Sequence, residues 1–204
     1  MNLLDRYPIV SDQVNRTELA VILRELQKVL TVTGDVVELG CFVGTTSLFL
    51  QRTIKDTGKV LHVYDSFAGL PPKAPQDVSP VGEQFKTGEL IATKAQLIKY
   101  FKQAGLPLPV IHKAWFEALT PADLPAKICF AFLDGDFYTS ISASLAVIWP
   151  KLTPGAVVVV DDYHTEALPG VARAVKEWSR GHSFTVQTEA SLAIIRPSVP
   201  RRDV

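Results

Sequence analysis

Short apolar runs recur along the chain, and stretches whose apolar positions repeat at helical spacing lie between them. The apolar runs, which predict strands, are residues 36–40, 60–65, 109–114, 128–134 and 156–162. The stretches that predict helices are residues 15–31, 45–55, 88–104, 139–150 and 169–180. Because repeated strand–helix units build parallel sheets that are covered on both faces, the pattern predicts an α/β three-layer sandwich with a mainly parallel sheet.

Each end of the chain carries an element with its own local signal. Asn15 is followed by Glu18 three residues later, which is typical of a capping box at the start of the first helix. Near the other end, β-rich runs at 182–188 and 191–197 are separated by only a few residues. This spacing predicts a hairpin that adds an antiparallel strand to the sheet.

The length of the chain, 204 residues, fits one domain with its own hydrophobic core. No change in composition marks a boundary, so we expect a single domain over 1–204. Within it, 1–33 is expected to form an N-terminal helical cover and 34–197 a sheet core that carries the site. Residues 70–88 form the longest insertion, and long ordered loops often act as functional lids.

Charge and cysteine usage narrow the classes of partner and compartment. The chain has 21 Lys and Arg against 21 Asp and Glu, so no basic surplus indicates a nucleic-acid or anionic-membrane partner. No apolar run reaches the roughly 20 residues of a membrane helix. The first ten residues lack the pattern of a secretory signal. Cys41 and Cys129 lie in apolar runs and are expected to be reduced thiols of a cytoplasmic protein.

Chemically distinctive residues end four of the predicted strands. In open α/β sheets, ligands bind beyond the carboxyl ends of the strands, and one sheet brings those ends to one edge. The residues are Glu38, Leu39 and Gly40 with Gly44 beyond them, then Asp65, then Asp134, Gly135 and Asp136, and finally Asp161 and Asp162. Their convergence is stronger evidence for a site than any one of these motifs.

The stretch ELGCFVGTTS, residues 38–47, predicts a glycine turn between a strand and a helix N-terminus, where a ligand approaches the backbone closely. Its G-x-x-x-G spacing differs from the dinucleotide fingerprint and from the P-loop. Asp65 ends the next strand, where a carboxylate suits the two hydroxyls of a ribose. The alternatives are a tight turn without a ligand at 38–47, and an Asp that only caps the turn made by Ser66 and Gly69.

Three carboxylates, Asp134, Asp161 and Asp162, are predicted to meet at the edge of the sheet. The valine run that precedes the last two is typical of a strand buried on both faces. Like charges beside such a strand repel each other and resist desolvation, so a cation should compensate them. Mg²⁺ prefers such hard oxygen ligands and keeps positions open for substrate. We interpret Asp136 differently, as the N-cap of the helix at 139–150.

Three motifs together give the chain a resemblance to a known enzyme family: YDSFAGLP at 64–71, FLDGDFYTS at 132–140 and VVVVDDYH at 157–164. With them, residues 34–196 resemble the macrocin and mycinamicin O-methyltransferases. Those enzymes use S-adenosylmethionine (SAM) and Mg²⁺ to methylate hydroxyls on deoxysugars of natural products. The resemblance implies a Rossmann-like SAM-methyltransferase sheet, both cofactors, and a small-molecule hydroxyl acceptor.

The resemblance also implies roles for individual residues. Asp134 matches the general base of that family as well as a Mg²⁺ ligand, and Asp161 and Asp162 match the other ligands. The residues implied for cofactor binding are Glu38, Gly40, Gly44, Thr45, Asp65, Ser66, Trp115 and Phe116. Candidate acceptor contacts are Tyr138, Tyr163 and His164, with core packing or an exposed loop position as the alternative.

The N-terminal part is shorter than is usual in the family, with only about 34 residues before the first predicted strand. A partner subunit could therefore supply a lid, and a homo-oligomer is a possible arrangement. Two other functions stay open. The first is a phosphatase, because FLDGDFYT resembles the D-x-D-x-x-T motif of haloacid-dehalogenase-type phosphatases, although that motif belongs on the first strand. The second is a non-catalytic SAM-binding protein.

Overall fold

A computed structural model describes residues 3–11 and 13–198 of the chain. Its strands are β1 (Asp35–Leu39), β2 (Leu61–Asp65), β3 (Val110–Lys113), β4 (Ile128–Leu133), β5 (Leu152–Val160), β6 (Phe184–Glu189) and β7 (Leu192–Pro197). In the described part of the chain they form one sheet with the order β3-β2-β1-β4-β5-β7-β6. The strand order reverses between β1 and β4, and such switch points are where open α/β sheets bind ligands.

Six α-helices surround the sheet within the described ranges. They are α1 (Leu3–Arg6), α2 (Arg16–Lys28), α3 (Thr45–Ile54), α4 (Lys94–Gln103), α5 (Tyr138–Ile148) and α6 (Pro169–Trp178). Short 3₁₀ turns lie at Pro75–Asp77, Phe116–Ala118, Pro121–Asp123 and Trp149–Lys151. None of the described helices combines the length and the apolar character that crossing a membrane requires.

Strand pairing confirms the predicted sheet. β1 pairs in parallel with β2 and β4, and β4 pairs in parallel with β5. The predicted hairpin is β6 and β7, in which β7 lies antiparallel to both β5 and β6. The fold is therefore a mainly parallel sheet with an antiparallel pair at its C-terminal side.

The core lies on both faces of the sheet, because successive side chains of a strand point to opposite sides. In β4, Phe130 and Phe132 pack with the layer of α2, α3 and α4, whereas Ala131 and Leu133 pack with the layer of α5 and α6. The valine run of β5 divides in the same way and is buried throughout. This burial confirms the three-layer sandwich.

Helix α4 begins later than the prediction of 88–104. Thr93 caps it by accepting a hydrogen bond from the Gln96 N–H at 3.2 Å, and the Gln96 side chain accepts from the Thr93 N–H at 2.7 Å. Because of this capping box the helix begins at Lys94, and residues 88–93 belong to the preceding loop. That loop consequently reaches from the end of β2 to residue 93.

A buried carboxylate connects α2 to the C-terminal hairpin. Glu25 is 1% exposed and accepts hydrogen bonds from Lys28 at 2.7 Å, Arg24 at 3.0 Å and Arg196 of β7 at 2.6 Å. Arg24 also pairs with Glu189 of β6 at 2.7 Å. Burial raises the pKa of Glu25, but the hydrogen bonds from Lys28 and Arg24 and the charge of Arg196 outweigh it, and the pKa is lowered overall.

We expect Glu25→Gln to lower the free energy of unfolding by about 1–3 kcal/mol near neutral pH, since it removes charged hydrogen bonds from a buried site. Because the pKa of Glu25 is lower in the folded than in the unfolded state, its charge stabilises the fold at pH values above the unfolded-state pKa. This stabilisation is lost as the pH falls through the folded-state pKa. Urea unfolding should therefore show a smaller difference between variant and wild type in acid. The exposed Glu117→Gln is the control, and an equal difference at both pH values would contradict the expectation.

Candidate active site

A glycine turn at residues 40–44 connects β1 to α3. Gly40 has φ +93°, and a Cβ atom placed there would lie 1.8 Å from the backbone oxygen of Asp134. Gly44 has φ +93° as well, and its Cβ atom would lie 2.3 Å from the Leu97 side chain. Backbone conformation favours glycine at both positions, and at Gly40 the backbone of Asp134 also leaves no space for a side chain. The close approach brings the end of β1 against the end of β4.

Asp65 at the end of β2 holds this turn in place. Its Oδ2 atom accepts hydrogen bonds from the backbone N–H of Cys41 at 2.9 Å and of Phe42 at 3.3 Å. Its Oδ1 atom accepts from the Phe67 N–H at 2.7 Å. Three backbone donors thus fix the direction of the carboxylate, and its remaining lone pairs are available to a ligand.

One cleft of about 860 Å³, including its open mouth, lies beyond the ends of five strands. Its lining residues that follow β1 to β5 are Gly40, Cys41, Phe42, Asp65, Ser66, Gly69, Leu70, Pro71, Ala114, Trp115, Phe116, Asp134, Gly135, Asp136 and Asp162. Trp115 is 41% exposed and presents a free aromatic surface to this cleft. The structure therefore brings together five of the residues expected to bind the cofactor: Gly40, Asp65, Ser66, Trp115 and Phe116.

Glu38 and Thr45 lie deeper, in a small cavity that shares Gly40 and Asp134 with the cleft. Glu38 is fully buried, and its Oε2 atom accepts a hydrogen bond from the Ser47 hydroxyl. Its Oε1 atom and the Thr45 hydroxyl have no hydrogen-bond partner among the described residues. Burial raises the pKa of Glu38 to about 8, although the hydrogen bond from Ser47 opposes the shift. Unpartnered buried polar atoms are costly, so these two indicate a place for a polar ligand group.

The acidic cluster differs in composition from the predicted one. Ligand atoms of Asp134, Asp136 and Asp162 all lie within 4.8 Å of one another, which suits a metal ion. Asp161 is outside this set, and its Oδ1 atom accepts the backbone N–H of Asp162 at 2.9 Å. The role of Asp161 as a ligand stays a prediction.

The interpretation of Asp136 as a helix N-cap is wrong. Residue 136 has φ +58° and precedes the N-cap position, which Phe137 occupies without a side-chain hydrogen bond. Instead, the first N–H of α5, that of Tyr138, donates a hydrogen bond to the Oδ1 atom of Asp77 at 2.7 Å. The Asp136 carboxylate is thus free to join the cluster.

The cluster is electrostatically unfavourable without a cation. Burial, then the charges of Asp161 and Asp136, raise the pKa of Asp134 well above its usual range. Burial, then the charge of Asp162, raise the pKa of Asp161 strongly and that of Asp136 to about 7. Burial and the charge of Glu18 raise the pKa of Asp162 to about 6. Among the ion pairs between described residues, none includes the four aspartates, so the repulsion is relieved either by protons or by a bound cation.

The three candidate acceptor contacts lie elsewhere. The Tyr138 hydroxyl donates to Glu177 at 2.6 Å. Tyr163 and His164 line a separate open cavity beside α6, and the His164 N–H donates to the Ser191 carbonyl at 2.9 Å. None of the three is among the described residues that line the cleft. Their roles toward an acceptor stay predictions.

Gln13, Phe85, Leu90 and Ser140 are among the lining residues to which the sequence analysis assigned no role at the site. Phe85 and Leu90 lie in the long loop after β2, where no periodic pattern predicts which side chains face inward. Ser140 lies in the first turn of α5 and is the last residue of the motif FLDGDFYTS, and that position was the available signal.

Comparison with known proteins places this geometry in a family. The family model of the macrocin-O-methyltransferases (TylF) matches residues 13–190. The chain belongs to this family. Family membership supports an O-methyltransferase.

Two curated relatives are O-methyltransferases according to their names, and the name of the first includes a rhamnosyl group. The chain is 30% identical over 186 residues to the 8-demethyl-8-(2,3-dimethoxy-alpha-L-rhamnosyl)-tetracenomycin-C 4'-O-methyltransferase of Streptomyces olivaceus. This alignment covers 82% of this chain and 71% of that protein. The chain is 26% identical over 165 residues to the mycinamicin III 3''-O-methyltransferase of Micromonospora griseorubida. This second alignment covers 76% of this chain and 63% of that protein.

A solved structure confirms the Rossmann-like methyltransferase fold. The O-methyltransferase NovP superimposes with a TM-score of 0.75 at 21% identity, over 90% of this chain and 80% of that chain.

Substitution at Gly40 tests whether the site depends on the close approach of β1 and β4. Gly40→Ala should lower the free energy of unfolding by about 3 kcal/mol or more, because the new Cβ atom meets backbone that cannot give way. Gly58→Ala is the matched control, since Gly58 has φ +75° with nothing within 4 Å. There we expect only the conformational cost of about 1 kcal/mol. Equal losses in urea unfolding would show that contact with Asp134 is unimportant.

Proposed function

We propose that the protein is a SAM-dependent O-methyltransferase that methylates a hydroxyl of a sugar or deoxysugar of a natural product, with Mg²⁺ at the acidic cluster. The observation that carries this proposal is the position of three carboxylates, without a cationic partner among the described residues, in the same cleft as Asp65 and the glycine turn. The acceptor class is supported by the sugar O-methyltransferases to which the chain is similar.

The cleft fits SAM through polar atoms with unused hydrogen-bonding capacity and through an aromatic surface. Asp65 has lone pairs left for the two ribose hydroxyls, and Trp115 offers an aromatic surface for the adenine, with Phe116 beside it. The unpartnered Oε1 atom of Glu38 and the Thr45 hydroxyl suit the amino end of the methionine part. Close approach of that part to the backbone is possible because residue 40 has no side chain.

Mg²⁺ fits the acidic cluster because carboxylate oxygens are its preferred protein ligands. Asp134, Asp136 and Asp162 would hold it, and positive charge there would remove the repulsion that raises their pKa values. Asp161 would support the site indirectly, because its carboxylate accepts a hydrogen bond from the backbone N–H of Asp162 and so positions that residue.

The reaction needs an activated methyl group and a reactive oxygen. When bound, SAM supplies a methyl group on a sulfonium, and the divalent cation lowers the pKa of a hydroxyl that it contacts. Asp134 would accept the proton of the acceptor hydroxyl at a carboxylate oxygen, since its backbone lies against Gly40 and its carboxylate belongs to the cluster. Leu70, Phe85 and Leu90 would exclude water from the same cleft.

Family membership disfavours the phosphatase alternative, because the acidic motif lies at the end of β4 in a methyltransferase sheet. A non-catalytic SAM-binding protein remains the second reading. We further propose a cytoplasmic protein, for which the two buried free thiols Cys41 and Cys129 are the support.

Titration of purified variants with S-adenosylhomocysteine, and then with Mg²⁺, tests the division of roles. Asp65→Ala should weaken S-adenosylhomocysteine binding by about 10- to 100-fold, the loss typical of hydrogen bonds to a charged group. Asp136→Asn should leave that affinity near wild type and weaken Mg²⁺ binding to the saturated protein by at least about tenfold. Equal loss of S-adenosylhomocysteine binding in both variants would contradict separate sites.

Asp161→Asn distinguishes the predicted ligand set from the observed one. If Asp134, Asp136 and Asp162 hold the ion, Asp161→Asn should weaken Mg²⁺ binding less than Asp136→Asn does. A larger effect of Asp161→Asn would show that the sequence-based ligand set is correct and that the cluster rearranges on binding.

A further inference from the structure

Asp77 is a buried carboxylate far from the acidic cluster in sequence. It lies at the end of the 3₁₀ turn Pro75–Asp77 in the loop after β2 and is 1% exposed. Its Oδ1 atom accepts the Tyr138 N–H at 2.7 Å, and its Oδ2 atom accepts the Ala74 N–H at 2.9 Å. No ion pair between described residues includes it, so two backbone donors from different elements hold it in place.

Asp77 also touches the first turn of α6. A Cβ atom at Gly170 would lie 1.8 Å from the Asp77 Oδ1 atom and 3.0 Å from the Tyr138 Cβ atom. The carboxylate therefore sits where the N-terminal turns of α5 and α6 meet, a position that favours negative charge. Gly170 is the residue that leaves room for it.

Two parts of the candidate active site are attached to the elements that Asp77 joins. On the loop side, Leu70, Pro71, Phe85 and Leu90 form one wall of the cleft. On the helix side, α5 begins two residues after Asp136, which belongs to the acidic cluster.

The backbone between Asp136 and α5 needs support from its surroundings. Asp136 has φ +58°, a conformation that is unfavourable for a residue with a side chain. Such a residue persists only where neighbouring contacts determine it. The hydrogen bond from the Tyr138 N–H to Asp77 is one of these contacts, and it fixes the backbone two residues after Asp136.

We propose that Asp77 is a positioning residue that couples the loop wall of the cleft to the placement of Asp136, and thereby sets the affinity of the cluster for a divalent cation. The proposal rests on the proposed function, because it takes the cluster to be a cation site. It assigns Asp77 no contact with substrate or cofactor.

The direct test is a set of three variants, Asp77→Ala, Gly170→Ala and the double variant. Each is saturated with S-adenosylhomocysteine and titrated with Mg²⁺, and urea unfolding is measured in parallel. Asp77→Ala should weaken Mg²⁺ binding by at least about tenfold while all three proposed ligands remain. Gly170→Ala should have a similar effect, because its Cβ atom displaces the carboxylate.

The double variant separates this coupling from general destabilisation. Once the Asp77 carboxylate is absent, most of the space that the Gly170 Cβ atom needs is free. The double variant should therefore bind Mg²⁺ about as well as Asp77→Ala alone, and not with the two losses combined. Combined losses would overturn the proposal, since they would mean that the two residues act independently.

Two further variants complete the test. Asp77→Asn keeps an oxygen for the Tyr138 N–H, so Mg²⁺ binding should recover most of the loss. Gly170→Ala carries the test of the loss if Asp77→Ala does not fold. Ser79→Ala removes another anchor of the loop, the 2.6 Å hydrogen bond to the Glu166 carbonyl, without touching α5. It should leave Mg²⁺ binding unchanged, and a loss equal to that of Asp77→Ala would contradict a specific role for Asp77.

The outcomes also distinguish this inference from the proposed function. If the wild-type protein binds neither S-adenosylhomocysteine nor Mg²⁺, both fail. If the wild type binds both ligands and Asp77→Ala binds Mg²⁺ equally well, only the role of Asp77 is overturned.

Discussion

Repulsion and desolvation among four carboxylates, Asp134, Asp136, Asp161 and Asp162, is the constraint on which the site depends. These groups follow the buried ends of β4 and β5. Asp161 is buried and the other three are half-buried, so water relieves only part of the cost. The rigid parallel strands keep the four groups close together. A structure that maintains such an arrangement is suited to a cation, and a cation beside a cofactor cleft is suited to activating an oxygen.

The rest of the site is built around this acidic edge by close backbone approach. Gly40 lets the end of β1 lie against Asp134, and Asp65 then holds the glycine turn through backbone N–H groups. The cofactor part and the acidic part thus share Asp134 as a common border. On the opposite side, Asp77 ties the loop wall to the start of α5, so the cleft and the cluster are mechanically connected.

The sequence predicted the sheet, its layers and the meeting of strand ends, because apolar runs and glycine or aspartate at strand ends are local signals. It failed at Asp136, because a positive φ there and a cap from residue 77 are not local. The pair Asp161 and Asp162 shows another limit: adjacency in the sequence does not tell which carboxylate lies with Asp134 and Asp136, and in this structure it is Asp162. The role of Asp161 as a ligand stays a prediction. Loop residues such as Phe85 reach the cleft without any periodic pattern.

The most direct measurement is a crystal structure of the protein with S-adenosylhomocysteine and Mn²⁺, which replaces Mg²⁺ and is located by its anomalous scattering. The account predicts S-adenosylhomocysteine with its ribose on Asp65, and one Mn²⁺ peak bound by Asp134, Asp136 and Asp162. A cofactor bound in this way without a Mn²⁺ peak at the cluster, or with the peak elsewhere, would contradict the central claim that the acidic edge is a cation site.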